Sequence, residues 1–358
     1  DTGIRSGGVV ARARELGVDV IVTDHHLPEA ELPPAWAVLD PRRPDCGYPD
    51  KNLCGAGVAF KFAQALFAEL GWPASRRKKV LESFLKLVAI ATVADVVPLS
   101  GENRILVKHG LEGLRTVYNP GLRAVLDFAG LPEGEAPSAG QVAFRIAPRM
   151  NAAGRMADAA EVIELLLTRD RARAREIAAR LHALNQERQQ AESAILRAIL
   201  EECSRSPVGP RQRALVFSGP GWHRGVVGVV AGRLVERFHR PVVVLGEDAE
   251  TGLAQGSGRS VPQFHLLEAL ESMAGLLTRF GGHRQAAGIT LPVARIGEFR
   301  ERLEELALAR LVEEDLSPPL EIDAELALPE VDDASVLEVL SLGPFGYGNR
   351  APVFAVLG

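Results

Sequence analysis

The sequence predicts an α/β protein: a parallel-sheet domain, a long connector helix and a second, smaller α/β domain. Three observations carry this. Short β-branched runs at 18–22 and 241–245 alternate with segments of helical apolar spacing. Gly or clustered polar residues bound those runs. The segment 169–202 contains neither Gly nor Pro and carries a helical stripe of Ile177, Leu181, Leu184, Ala191, Ile195 and Ile199.

In chain order, Val9, Val10, Ala13 and Leu16 share one side of a short helix that Gly17 ends. The apolar run 18–22 suits a parallel sheet covered on both faces, and it stops at Thr23, Asp24, His25 and His26. Residues 36–39, closed by Asp40 and Pro41, form the next strand, and 55–70 and 80–94 are helices. Segment 169–203 is read as a connector helix packed on one side, and 204–213 as a hinge. A second α/β unit follows, with strands at 213–217 and 241–245, a Gly-rich strand or turn at 253–258, and helices at 224–238, 264–277 and 296–311. From 317 the text changes: 320–326 alternates like a strand, 343–348 is a loop, and 353–357 is apolar. This reads as the opening hairpin of a β domain.

Length and composition set outer limits. At ~100–200 residues per domain, 358 residues imply two or three domains. With 47% hydrophobic and 24% charged residues, wholesale disorder is excluded. A net charge of −5 excludes a globally basic nucleic-acid coat but leaves room for a local basic path. Cys46, Cys54 and Cys203 lack paired spacing, which argues against a disulfide framework, a cysteine zinc site and a cysteine nucleophile. With no signal sequence, they point to a reducing cytoplasm. The longest apolar run, 87–94, is too short to span a bilayer, so no membrane partner is expected. A chain that opens on Asp1 instead of Met reads as a processed product or a fragment.

Ligands of open α/β sheets collect beyond the carboxyl ends of the strands, where Asp24, His25 and His26 stand. Neutral imidazole with carboxylate suits a transition metal such as Mn²⁺, whereas carboxylates alone suit Mg²⁺. Asp95, after the apolar run 87–94, and Asp1, before a Thr-Gly turn, are further carboxylates at element ends. The competing reading of the His pair is structural. The segment 144–155, turn-rich and holding Arg145, Arg149, Asn151 and Arg155, fits a fork onto phosphates or a surface loop with scattered arginines. Gly281, Gly282 and His283, followed by Ala286, Ala287 and Gly288, allow close backbone approach to a ligand or tight helix packing. Ser257 and Arg259 offer a hydroxyl and a guanidinium to a terminal phosphate. Residues 218–223 lead from a strand into a helix N-terminus, but no Gly-Lys-Ser/Thr follows, so nucleoside triphosphate use has no support. His109, His182, His239 and His265 lack metal spacing and read as structural or exposed.

Taken together and in order, these motifs resemble the DHH phosphoesterase superfamily and, within it, the RecJ family of single-strand-specific DNA exonucleases. Asp1-Thr-Gly-Ile resembles the family's second acidic motif, Asp24-His25-His26 the motif that names it, and Asp95 its fourth. The segment 144–155 resembles the family's arginine/asparagine segment, 281–288 the DHHA1 signature, and 343–349 the lead-in to an OB-type domain. The family's Asp-x-Asp first motif is absent, as is the strand that carries it.

The resemblance implies a DHH catalytic domain at 1–168, a connector helix at 169–203, a DHHA1 domain at 211–312 and the start of an OB-type domain at 317–358. It implies Asp1, His25 and Asp95 as ligands of Mn²⁺ or Mg²⁺, two ions in the intact protein, with Asp24 orienting the cluster and His26 on the scissile phosphate. Arg145, Arg149, Asn151 and Arg155 would neutralise backbone phosphates, and Ser257, Arg259, Gly282 and His283 would hold the 5′ end. The implied activity is 5′–3′ hydrolysis of single-stranded DNA in repair and recombination by a monomer, with single-strand-binding protein and a RecQ-type helicase as partners. Without the first motif, this chain alone is expected to show little or no activity. The alternatives are a DHH/DHHA1 phosphodiesterase of oligonucleotides or cyclic dinucleotides, and a non-catalytic strand-binding relative.

Overall fold

The computed structural model describes residues 3–209 and 211–356. The chain is mixed α/β and divides into two compact units, 1–151 with 159–182 and 321–358, and 152–158 with 183–320.

In the first unit, α1 (Gly7–Glu15) precedes a parallel pair, β1 (Ile21–Thr23) and β2 (Ala37–Leu39), in which Ile21 faces Ala37 and Thr23 faces Leu39. Among the described residues this sheet has only these strands. The expected doubly covered run 18–22 is therefore corrected. Val22 is buried, but Val18 and Ile21 are exposed, so among the described residues the run is not covered on both faces. The apolar side of α1 likewise narrows to Val10, with Val9 and Leu16 in solvent.

Helices α2 (Gly55–Glu69), α3 (Ala74–Ala94) and α4 (Gly101–Gly113) follow, with α3 packed against both others. Cys54 caps α2, its Sγ accepting from Gly57 N, and burial pushes its thiol up, as an inert core cysteine requires. Next come α5 (Pro120–Phe128), α6 (Ala139–Gln141), a π-turn at Val142–Ile146, α7 (Ala147–Met156), α8 (Ala160–Leu167) and α9 (Arg171–Arg205).

Segment 144–155 is thus helical, not the turn-rich stretch expected. Pro148 sits directly after a π-turn, inside a helical stretch that is continuous from Ala139 to Met156. The π-turn before it, closed by Ala147 N on Val142 O, lets the helix run through.

Gly121 on α5 lies so close to α8 that a Cβ there would stand 1.8 Å from Leu165 O. Gly121→Ala should cost about 1–3 kcal/mol in urea denaturation through forced backbone movement. An unchanged midpoint would show that this helix pair is looser than the contact implies.

The second unit is a five-stranded mixed sheet. Its elements are β3 (Leu215–Pro220), α10 (Arg224–Phe238), β4 (Val242–Asp248), β5 (Leu253–Arg259), α11 (Leu266–Ser272), β6 (Arg279–His283), β7 (Ala286–Pro292) and α12 (Ile296–Arg310). The spatial order is β3-β4-β5-β7-β6, with β3–β4 parallel and the remaining pairs antiparallel. Strand alternation builds two cores. Leu215, Phe217, Val242 and Val244 meet α10 and Ile195 and Ile199 of α9. Val216, Val243, Leu245, Ile289 and Leu291 meet Phe264, Phe299 and Leu303 on the other side. The connector helix therefore belongs partly to this unit's core.

The segment 281–288 is a β-hairpin, not a helix-packing stretch. Its small residues hide the strand signal, since they lack the β-branched side chains by which strands are recognised.

In the tail, β8 (Ala324–Glu325) and β9 (Phe354–Ala355) pair in parallel, with α13 (Asp333–Ser341) between them. A parallel pair needs a crossover, so these strands do not form the hairpin expected at 317–358. The 343–349 loop closes against the first unit, with Leu99 N donating to Tyr347 O at 2.7 Å and Gly348 tight against Pro98. Among the described residues no helix is long and apolar enough to cross a membrane.

Candidate functional site

The first cluster grows from the end of β1. Asp24 is 1% exposed, and its Oδ2 accepts from Ile4 N at 2.9 Å. Its Oδ1 accepts from His25 N at 2.7 Å, His26 N at 3.1 Å and His26 Nδ1 at 2.7 Å. Burial alone would raise its pKa, but these hydrogen bonds outweigh that and bring it down to about 2. Asp24 is therefore a carboxylate, and the proton in its contact with His26 sits on Nδ1. The His26 side chain is 55% exposed, so an anchored imidazole faces solvent.

His25 turns the other way. It is buried, and its Nε2 lies 3.4 Å from Asp95 Oδ2. Asp95 caps the carboxyl end of α3, and burial pushes its carboxyl up against the opposing influence of His25 and His26. The next residue, Val96, has φ +56°. A β-branched residue in the left-handed region costs about 1–3 kcal/mol, a strain that turns the chain directly after Asp95.

An imidazole nitrogen and a carboxylate oxygen converging from separate elements fit part of a divalent-metal coordination sphere. The third expected ligand, Asp1, lies outside the described residues, and among those described no group of three or more His, Cys, Asp or Glu could hold a metal.

Asp40 had drawn no notice as a site residue. It is buried at the end of β2, where its Oδ1 accepts from Arg42 N at 2.8 Å. Burial and the charge of Asp24 raise its pKa. Its position beside Asp24 follows from the β1–β2 register, which no local pattern displays.

Arg145 donates to Gly130 O at 3.0 Å, and Arg149 donates to Arg145 O and to His182 Nδ1. Asn151 is exposed. These three belong to the first unit and Arg155 to the second, where its Nη1 donates to Gly225 O at 3.2 Å.

In the second unit, α10 packs on one face of the sheet over β3, β4 and β5, while β7 and β6 extend beyond it and complete a shelf with the edge of β5. The register sets three rows there: Arg259–Ala286–His283, Ser257–Gly288–Gly281 and Gln255–Thr290–Arg279. Arg259 Nη1 donates to Ser257 Oγ and Gly258 O, both at 2.8 Å, and Gly228 of α10 leaves room for Ser257 and Arg259. Burial, then the charge of Arg259, lowers the His283 pKa, so this ring is neutral at pH 7. Its Nδ1 accepts from Gln285 N, which leaves Nε2 as the donor. Gly282 has φ +157°, and a Cβ there would stand 2.2 Å from Ala286 O, so the hairpin requires glycine. Ser257, Arg259, Gly282 and His283 are thus gathered on one hairpin and its neighbouring strand.

A two-unit α/β protein with an Asp-His-His strand end and a glycine-floored cationic shelf matches two family models. The DHH family, N-terminal domain, covers residues 1–92, and the DHHA1 domain covers residues 211–309. The chain is 42% identical to the single-stranded-DNA-specific exonuclease RecJ of Bacillus subtilis, over 98% of this chain and 43% of that protein. It is 38% identical to the Escherichia coli protein of the same description, over 99% and 63%. Among solved structures, RecJ in complex with Mn²⁺ from Thermus thermophilus superposes with TM-score 0.86 at 37% identity, over 99% of this chain and 51% of that one. Exonuclease RecJ bound to manganese superposes with TM-score 0.70 at 38% identity, over 88% and 77%. The chain belongs to the RecJ family of DHH/DHHA1 proteins. It spans about half the length of the curated relatives it matches.

Proposed function

We propose that the chain carries the nuclease chemistry of a metal-dependent exonuclease that removes nucleotides from the 5′ end of single-stranded DNA in repair and recombination. The observation that carries this is the pairing of His25 with Asp95 at 3.4 Å beside a His26 anchored by Asp24. His25 and Asp95, with Asp1, would hold Mn²⁺ or Mg²⁺, two ions in all. Bound ions would activate a water and stabilise the leaving oxygen. Asp24 fixes the His26 ring so that its remaining nitrogen meets a phosphate oxygen, and Arg145, Arg149 and Asn151 lend charge and hydrogen bonds to the strand. In the second unit Arg155 also lends charge to the strand, and Ser257, Arg259, Gly282 and His283 hold the terminal phosphate. Single-strand-binding protein and a RecQ-type helicase are the proposed partners, a monomer the proposed state and the cytoplasm the proposed compartment.

The test uses the product of the complete gene on a long 5′-phosphorylated single strand, the matching blunt duplex and a dinucleotide. Mn²⁺-dependent cleavage of the single strand, absent with chelator and weak on the duplex, is expected. Preference for the dinucleotide, or cleavage indifferent to chelator, would overturn the reading.

A further inference from the structure

We propose that Arg279, with Gln255 and Thr290, forms a second phosphate subsite on the shelf, for an internal phosphodiester of a strand whose end lies at the Arg259–His283 row. This rests on the nucleic-acid reading above and adds residues that reading does not use.

The register carries it. Gln255 faces Thr290 on β7, and Thr290 faces Arg279 on β6, so the three form one row on the face that holds Ser257 and Arg259. From Arg259 to Gln255 is four residues along β5, or about 13 Å at the usual strand rise. The row between them is Ser257, Gly288 and Gly281, which leaves a low floor joining two polar ends. A cavity of about 820 Å³ opens over the Arg279 end. It is lined by Arg155, His223, Arg224 and Arg279 and by no Asp or Glu. Among the described residues the Arg279 guanidinium makes no hydrogen bond or ion pair, so its donors are available.

The chemistry selects the ligand. Phe280 packs against the apolar core of this unit, and glycines form the floor of the middle row. Guanidinium, amide and hydroxyl groups on a glycine floor suit phosphodiester oxygens. A single phosphate occupies one row only. Bridging both rows takes a polyanion longer than a dinucleotide, so Arg279 makes affinity depend on strand length.

The test is equilibrium binding by the product of the complete gene, in chelator to prevent cleavage. The probes are a long 5′-phosphorylated single strand and a 5′-phosphorylated dinucleotide. Arg279→Ala should weaken the long strand roughly tenfold, the loss of one hydrogen-bonded charge contact. It should also reduce the slope of log K against log[salt] by about 0.7, while the dinucleotide is unaffected. Arg279→Lys should restore the slope, and Arg279→Glu should weaken the long strand further. Equal weakening of both probes, or a long-strand slope unchanged in both the Ala and Glu variants, overturns the subsite alone. Wild-type protein that binds neither probe overturns the nucleic-acid reading and the subsite with it.

Discussion

Replacing His25 by alanine in the product of the complete gene is expected to abolish strand cleavage while leaving strand binding largely intact. His25 is buried where β1 ends, and its Nε2 meets Asp95 across 3.4 Å, so on the proposed reading its imidazole would serve the metal site and not a strand-contacting surface. Loss of an outer-shell partner typically costs about 10–100-fold in metal affinity or activity, and loss of a ligand should exceed that. Asp24→Asn supplies the comparison. It retains the shape of the side chain but weakens four hydrogen bonds, to Ile4, His25 and His26, and so falls in that lower range. Titration of Mn²⁺ into each variant separates the cases: His25→Ala should lose metal affinity outright, and Asp24→Asn should lose part of it. Cleavage by His25→Ala within tenfold of wild type would remove His25 from the metal site.

The two ends of the chain's chemistry differed in how openly the sequence displayed them. The Asp24-His25-His26 turn was legible because a strand end and its polar stop are local features, and α10 runs from Arg224 to Phe238 as its apolar spacing indicates. Asp95 was legible for the same reason, as the polar residue that closes an apolar run. The shelf was only half legible. Ser257, Arg259 and His283 stood out by residue type. Arg279 and Gln255 gain meaning only from the β5–β7–β6 register, a long-range property. Segment 144–155 misled because Pro148 and Gly154 are turn signals until a π-turn absorbs them. Asp40 went unnoticed because nothing in a single strand shows which carboxylate the neighbouring strand will bring alongside.

The connector helix conceals its chemistry in the same way, and this leads to the largest stability effect expected. It reads as a helix packed on one side with its charged residues in solvent, yet Glu192 is 2% and Arg188 8% exposed, and Asn185 is buried beside them. Arg188 Nη1 donates to Glu192 Oε2 at 2.6 Å, and its Nε and Nη2 donate to Asn185 Oδ1. Arg233 of α10 pairs with the other oxygen of Glu192. Removing one partner strands a buried charge, so Glu192→Leu should cost about 3–5 kcal/mol in urea denaturation. The double variant Arg188→Met/Glu192→Leu removes both charges and should recover much of that loss, since an apolar pair of similar volume is often neutral. Arg233 has the exposure to turn towards water in either case. The network also reaches the cavity. Arg155 is held below the usual arginine range by burial and then by Arg188, with Glu192 opposing, so without Glu192 its neighbourhood gains uncompensated positive charge. Glu192→Leu should therefore lose stability without losing strand affinity under conditions where it stays folded. A double variant as unstable as the single one would mean that the cost lies in packing between α9 and α10 and not in the stranded guanidinium.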